Sequence, residues 1–147
     1  MRQMLHALKV SLARMPSEIG KVPKAICMIS GHWQADSFTV MTFSAPGMVY
    51  DCGGFPPETY KIAYPAPGAP DIALRTADLI KAAGLPGSLD AKRGLDHGTF
   101  APAYVMYPKA AVAIHQVSLQ HGYSPAALFA LGRALAAHWP QCAMKAC

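Results

Sequence analysis

The chain has 147 residues with 13 Lys and Arg against 8 Asp and Glu, a net charge of +5, and 52% of it is hydrophobic while only 14% is charged. That is too apolar for a disordered chain and too rich in Pro and Gly, 13 and 12, for a coiled coil. It is the size of one domain or part of one, able to bury roughly 70% of its unfolded surface.

Residues 1–24 carry five Lys or Arg and one Glu, but Leu5, Leu8, Leu12, Met15 and Ile19 recur among them at helical spacing. The spacing predicts an amphipathic helix from about Met4 to Met15 whose charges are a solvated face, and no aromatic residues interleave with them as single-stranded nucleic acid would require. From Ala25 to Ile29 the chain is almost continuously apolar and then meets Ser30-Gly31, as a buried strand opening into a loop does. Phe38 to Phe43 is a second strand. From Ser44 to Gly68 the chain is studded with Pro, Gly, Tyr and Phe, and so long an irregular stretch in a compact domain reads as a binding loop.

Between Asp71 and Ala83 the apolar positions return to a helical period, with Pro70 before them and Gly84 after. A short strand is expected near Ser88-Leu89-Asp90, then the loop Gly94 to Gly98, a helix from Thr99 to Met106, a strand from Ala111 to Leu119 and a helix from Ser124 to His138. Strands alternating with helices predict an α/β fold, a three-layer sandwich around a mixed, largely parallel sheet. No apolar run is long enough to span a bilayer and no signal-peptide pattern opens the chain, so the cytoplasm is the expected compartment, with neither membrane nor nucleic acid as partner. The four cysteines, Cys27, Cys52, Cys142 and Cys147, form no CxxC pair and are expected as free thiols.

Of the six histidines, His6 and His138 fall on expected helices and His121 in a surface loop, whereas His32 and His97 stand in Gly-flanked loops next to strands. Such loops are where α/β folds bind ligands. Imidazole is both a metal ligand and a proton carrier near neutral pH, so these two are the chemical candidates. On the residues alone, His32 is more simply a packed neighbour of Trp33, and Asp96-His97 more simply a helix cap. A thiol enzyme built on Cys52 has no oriented base in view.

Taken together, Ser30-Gly-His-Trp33, Tyr50-Asp-Cys-Gly-Gly-Phe-Pro56, Tyr60, Tyr64-Pro-Ala-Pro-Gly68, Gly94-Leu-Asp-His-Gly-Thr-Phe100, Met106-Tyr-Pro108 and Gln116-Val-Ser-Leu119 form an ordered set. On these blocks the chain resembles the class III extradiol aromatic ring-opening dioxygenases, in their DOPA-dioxygenase-like branch, over roughly residues 1–137. The resemblance implies a non-haem Fe(II) enzyme, with Zn(II) able to stand in the site, that opens a catechol-type ring with O₂. It implies His32 as a metal ligand and His97 as the acid/base. It also implies that Asp51, Gly53, Gly54, Phe55 and Pro56 form part of the substrate pocket wall, with Tyr60 beside them.

The family also carries one ligand in an HG-type block upstream and another after a GSG-type strand downstream, and this chain contains neither. Residues 138–147 diverge from the family's continuation. The chain therefore reads as a single, partial catalytic domain with a divergent tail, its iron affinity and activity weakened or lost because one imidazole does not make a stable divalent-metal site. The alternative is a metal-free module that binds an aromatic ligand, or that self-associates into a homo-oligomer through the sheet edges and apolar faces an incomplete fold exposes.

Overall fold

A computed structural model describes residues 2–122 and 124–136. The elements run α1 (Arg2–Ile19), β1 (Ala25–Ala35), β2 (Phe38–Met41), β3 (Met48–Val49), a short 3₁₀ turn (Pro57–Lys61), α2 (Pro70–Ala82), β4 (Gly87–Asp90), β5 (Leu95–Asp96), α3 (His97–Met106), β6 (Ala113–Gln120) and α4 (Pro125–Ala136). His138, Cys142, Cys147 and the expected tail lie outside the described residues.

The main sheet has the order β1-β6-β2-β4. β1 runs parallel to β6 and β2 parallel to β4, while β2 meets β6 antiparallel at Val40 and Val117. The expected strands thus share one sheet, and side-chain alternation assigns its two faces. Phe38, Val40, Ile80, Val117, Leu131 and Leu135 pack between the sheet and α2 with α4. Met41, Ile114, Trp33, Tyr64, Leu95 and Phe100 pack on the opposite face, towards α3. Phe38, Ile80 and Ile114 are fully buried, each contributing about 1.5–3 kcal/mol of apolar burial. Buried His115 on β6 sets its Nε2 3.0 Å from Oγ1 of Thr76 on α2, tying that helix to the sheet.

Three elements depart from the sequence reading. The first helix runs through Pro16 to Ile19, and it rests on α3 with Leu8, Met15 and Ile19 exposed, so much of its expected core face meets no partner among the described residues. β1 does not end at Ile29. Its ladder stops at the Ser30–Ser118 pair and resumes at Gln34–Leu119, so Gly31, His32 and Trp33 bulge out of a strand that then continues. The stretch from Ser44 to Gly68 is also more tied down than a free loop. β3 within it pairs with β5, Leu95 N donates to Gly47 O at 2.7 Å, and Gly68 N donates to Ser44 O at 2.8 Å. No helix among the described residues is long and apolar enough to cross a membrane.

Candidate functional site

The bulge and the β3–β5 pair bring the reactive residues together. Asp96 is fully buried and caps α3: its Oδ1 accepts from Thr99 N at 3.1 Å and from the Ser30 hydroxyl at 2.8 Å, and its Oδ2 accepts from Arg93 at 3.1 Å. Gln116 fastens this corner to the sheet, donating to Gly94 O at 2.8 Å and accepting from Asp96 N at 3.3 Å. Arg93 in turn lies 4.6 Å over the ring of Trp33, whose burial anchors the far side of the bulge. The capping role therefore belongs to Asp96 alone. His97, the first helical residue, turns its ring away from the helix and into the site.

There the ring centroids of His97 and His32 stand 3.8 Å apart. Between and beside them is Asp51, two residues past β3. Its Oδ1 accepts from His97 N at 3.0 Å and from His97 Nδ1 at 2.8 Å, while its Oδ2 lies 3.4 Å from His32 Nδ1. The residue as a whole is exposed, but its side chain is only 18% so. Partial desolvation pushes the Asp51 carboxyl up, yet the hydrogen bonds from the His97 backbone and ring, one within its own residue and the His97 charge outweigh it and hold the group below its ordinary value. The carboxylate is thus ionised at neutral pH.

One ligand atom from each of His32, Asp51 and His97 lies within 4.8 Å of the others, two nitrogens and one oxygen, a donor set suited to a first-row divalent ion. Gly98 makes the close packing possible: a Cβ there would come 2.8 Å from His32 Cδ2 and 3.0 Å from Ser30 Oγ. Cys52 adds a fourth group. Its Sγ is 3.1 and 3.2 Å from the two nitrogens of His97, so it sits across the imidazole rather than in line with either lone pair.

The remaining residues singled out in the sequence form a rim. Gly53, Gly54, Phe55 and Pro56 are exposed, with Gly54 at φ +81°, and no hydrogen bond among the described residues ties them to the histidine pair. Tyr60 pins this segment by accepting from Phe55 N at 3.2 Å. Tyr50 donates to Ile62 O at 2.7 Å and turns its ring edge-on to both Tyr60 and Phe100, giving the site an aromatic flank that the sequence blocks contain but do not locate. Asp51 belongs with the histidines. Nothing in its immediate neighbours signals that, because the contact depends on β3 and β5, each too short to leave a periodic pattern.

The model of the family described as the catalytic LigB subunit of aromatic ring-opening dioxygenase matches residues 11–140. The chain belongs to this family. It is 41% identical over 117 residues to a 4,5-DOPA dioxygenase extradiol of Beta vulgaris, covering 79% of this chain and 44% of that protein. To a dioxygenase, tasH, of Hapsidospora irregularis it is 36% identical over 139 residues, covering 92% and 43%. A crystal structure of an uncharacterized protein from Escherichia coli K12 superposes with a TM-score of 0.63 at 32% identity, covering 85% of this chain and 47% of that one. The chain therefore spans under half the length of the relatives it matches. In this LigB-family chain, His32, Asp51 and His97 form a cluster among the described residues that could hold a metal ion.

Proposed function

We propose that the chain is a portion of an extradiol dioxygenase catalytic domain that opens a catechol-type aromatic ring with O₂. The observation that carries the reading is the juxtaposition of His32 and His97 at 3.8 Å between ring centroids, with Asp51 bonded to the second at 2.8 Å.

His32 would hold Fe(II). The fit is chemical: with Nδ1 turned to a carboxylate oxygen, its Nε2 is left as the ligand, which is how histidines at metal sites are oriented. Its side chain is 47% exposed, so groups beyond the described residues can complete the coordination. Fe(II), when bound, supplies the one-electron chemistry that joins a catechol to O₂, which redox-inert Zn(II) in the same place would not.

The chain's own residues then have separate tasks. His97, fixed through Nδ1 by Asp51, presents Nε2 to accept a proton from a catechol hydroxyl and to return it later in the cycle. Tyr50 and Tyr60, backed by the buried Phe100, would offer an aromatic flank to the ring, and the exposed segment from Gly53 to Pro56 would supply part of the rim. DOPA, from the relatives' names, is the first substrate to try.

The test is direct. Purified chain, loaded with Fe(II) under argon and mixed with DOPA in aerated buffer, is followed for O₂ uptake and for the ring-opened product by mass. Product carrying both atoms of ¹⁸O₂ supports the reading. Loaded protein that takes up no O₂, or that consumes it without opening the ring, overturns it for this chain.

A further inference from the structure

We infer that a single carboxylate, Asp51, sets the tautomer of both site histidines. The positioning role this gives Asp51 rests on the reading of His32 as metal ligand and His97 as acid/base. It gives Asp51 a task beyond that of the expected pocket wall.

An ionised carboxylate only accepts hydrogen bonds, and Asp51 divides its two oxygens between two rings. Oδ1 takes the Nδ1–H of His97 at 2.8 Å and the same residue's backbone N–H at 3.0 Å, which fixes the ring's rotation as well as its proton. Oδ2 faces His32 Nδ1 at 3.4 Å, a longer approach of the same sense. The His97 ring is thereby held with its proton on Nδ1 and its lone pair on Nε2, and the charge-pair approach at His32 favours the same tautomer there without a hydrogen bond to fix it. For His32 that lone pair is the metal-binding one, and for His97 it is the base. One residue thus prepares a ligand and a proton acceptor in matched orientation. Without it, each ring would choose its own tautomer and the pair would seldom be correct together.

The arrangement also explains why neither neighbour can replace it. Asp96 has both oxygens committed to Ser30, Thr99 and Arg93. Cys52 Sγ stands almost equally far from the two nitrogens of His97, at 3.1 and 3.2 Å, and so favours neither tautomer. Asn in place of Asp would keep one acceptor and turn the other position into a donor, so it can serve one ring correctly and must oppose the other.

The experiment reads tautomers directly, by two-bond ¹H–¹⁵N correlation on the metal-free chain labelled at histidine, with the two rings assigned by loss of their signals in His32→Ala and His97→Ala. The expected wild-type result is Nδ1–H for both. In Asp51→Ala both should shift towards Nε2–H, and in Asp51→Asn the rings should part, His97 keeping Nδ1–H and His32 reversing. Zn(II) added to the wild type should move the Nε2 resonance of His32 while the Nδ1–H signals persist. An Nε2–H ring in the wild type, tautomers unchanged in Asp51→Ala, or Zn(II) arriving at Nδ1 of either ring would overturn the inference, the last by making Asp51 a ligand rather than a positioner. DOPA turnover is measured beside it, where Asp51→Ala should lose about 10- to 100-fold. If the wild type shows the expected tautomers but no turnover, the inference stands and the proposed activity fails. If turnover is present and survives Asp51→Ala unchanged, the activity stands and the inference fails.

Discussion

A Cβ placed on Gly98 would lie 2.8 Å from Cδ2 of His32, so the helix-entry glycine sets how far that imidazole can settle into the site. Gly98→Ala therefore pushes mainly on His32, an exposed side chain able to swing, and also crowds the buried Ser30 hydroxyl 3.0 Å away. The expected outcome is a modestly lowered melting temperature and a Zn(II) affinity lower by about tenfold or more, on the scale of disturbing a ligand's support. Isothermal titration with Zn(II), paired with thermal melts, checks it, and His32→Ala should lose the remaining affinity.

His97 and Asp96 are adjacent but should fail in opposite ways. His97→Ala is expected to slow ring opening roughly 10²-fold, the scale of a lost acid/base group, with metal content and melting temperature nearly unchanged. Asp96→Ala removes a cap worth about 1 kcal/mol and strands Arg93, so it should cost more than the cap alone while staying below the ~3–5 kcal/mol of a fully buried broken pair. Urea denaturation of both variants, set beside their turnover, separates the two roles. A His97→Ala protein with full turnover and a lowered melting point would assign bracing to that residue instead.

Burial pushes the Cys27 thiol from 9.0 up to about 12. At pH 8 it is therefore protonated and unreactive, and Cys52, half-buried beside His97, is the expected target of iodoacetamide between the two. Peptide mapping should find Cys27 unmodified in native protein and alkylated in urea. The linkage has a definite sign. The native state holds this proton more tightly than the unfolded chain does, so the stability it contributes is complete below pH 9 and is lost as pH rises towards 12. Cys27→Ala should flatten that alkaline decline.

Gly68 closes the irregular stretch onto the sheet, and a Cβ there would overlap the carbonyl oxygen of Phe43. Backbone cannot swing aside as His32 can. Gly68→Ala should cost about 3 kcal/mol, at the upper end of overpacking penalties, and loosen the loop that carries Asp51. Denaturant midpoints and hydrogen exchange at Gly68 N, which donates to Ser44 O, would show both effects.

Where the sequence carried a period or a punctuating residue, it was readable. α2 begins at Pro70 and ends at Ala82 before Gly84, whose φ is +71°, within a residue of what Pro, Asp and Gly alone suggest. The strand expected from Phe38 covers Phe38–Met41. His32 and His97 were recognisable as the chemical pair through the family's blocks, and the structure does bring their rings together. Asp51 was visible as a residue but not as their partner, since its approach is built by two strands of two residues each, which no local pattern encodes. The first helix misled for the opposite reason. Its apolar stripe is genuine, but amphipathicity states only that a face can be buried, and here Leu8, Met15 and Ile19 remain exposed.

The break in the β1–β6 ladder lies on the β1 side alone. Ser30 pairs with Ser118 and Gln34 with Leu119, consecutive residues on β6, so a chain spliced from Ser30 directly to Gln34 would run through the ladder without a gap. The main-chain pairing of the sheet is thus indifferent to whether Gly31, His32 and Trp33 are there. Deleting those three would take out His32 together with the buried Trp33 while leaving the remaining β1–β6 partners in register.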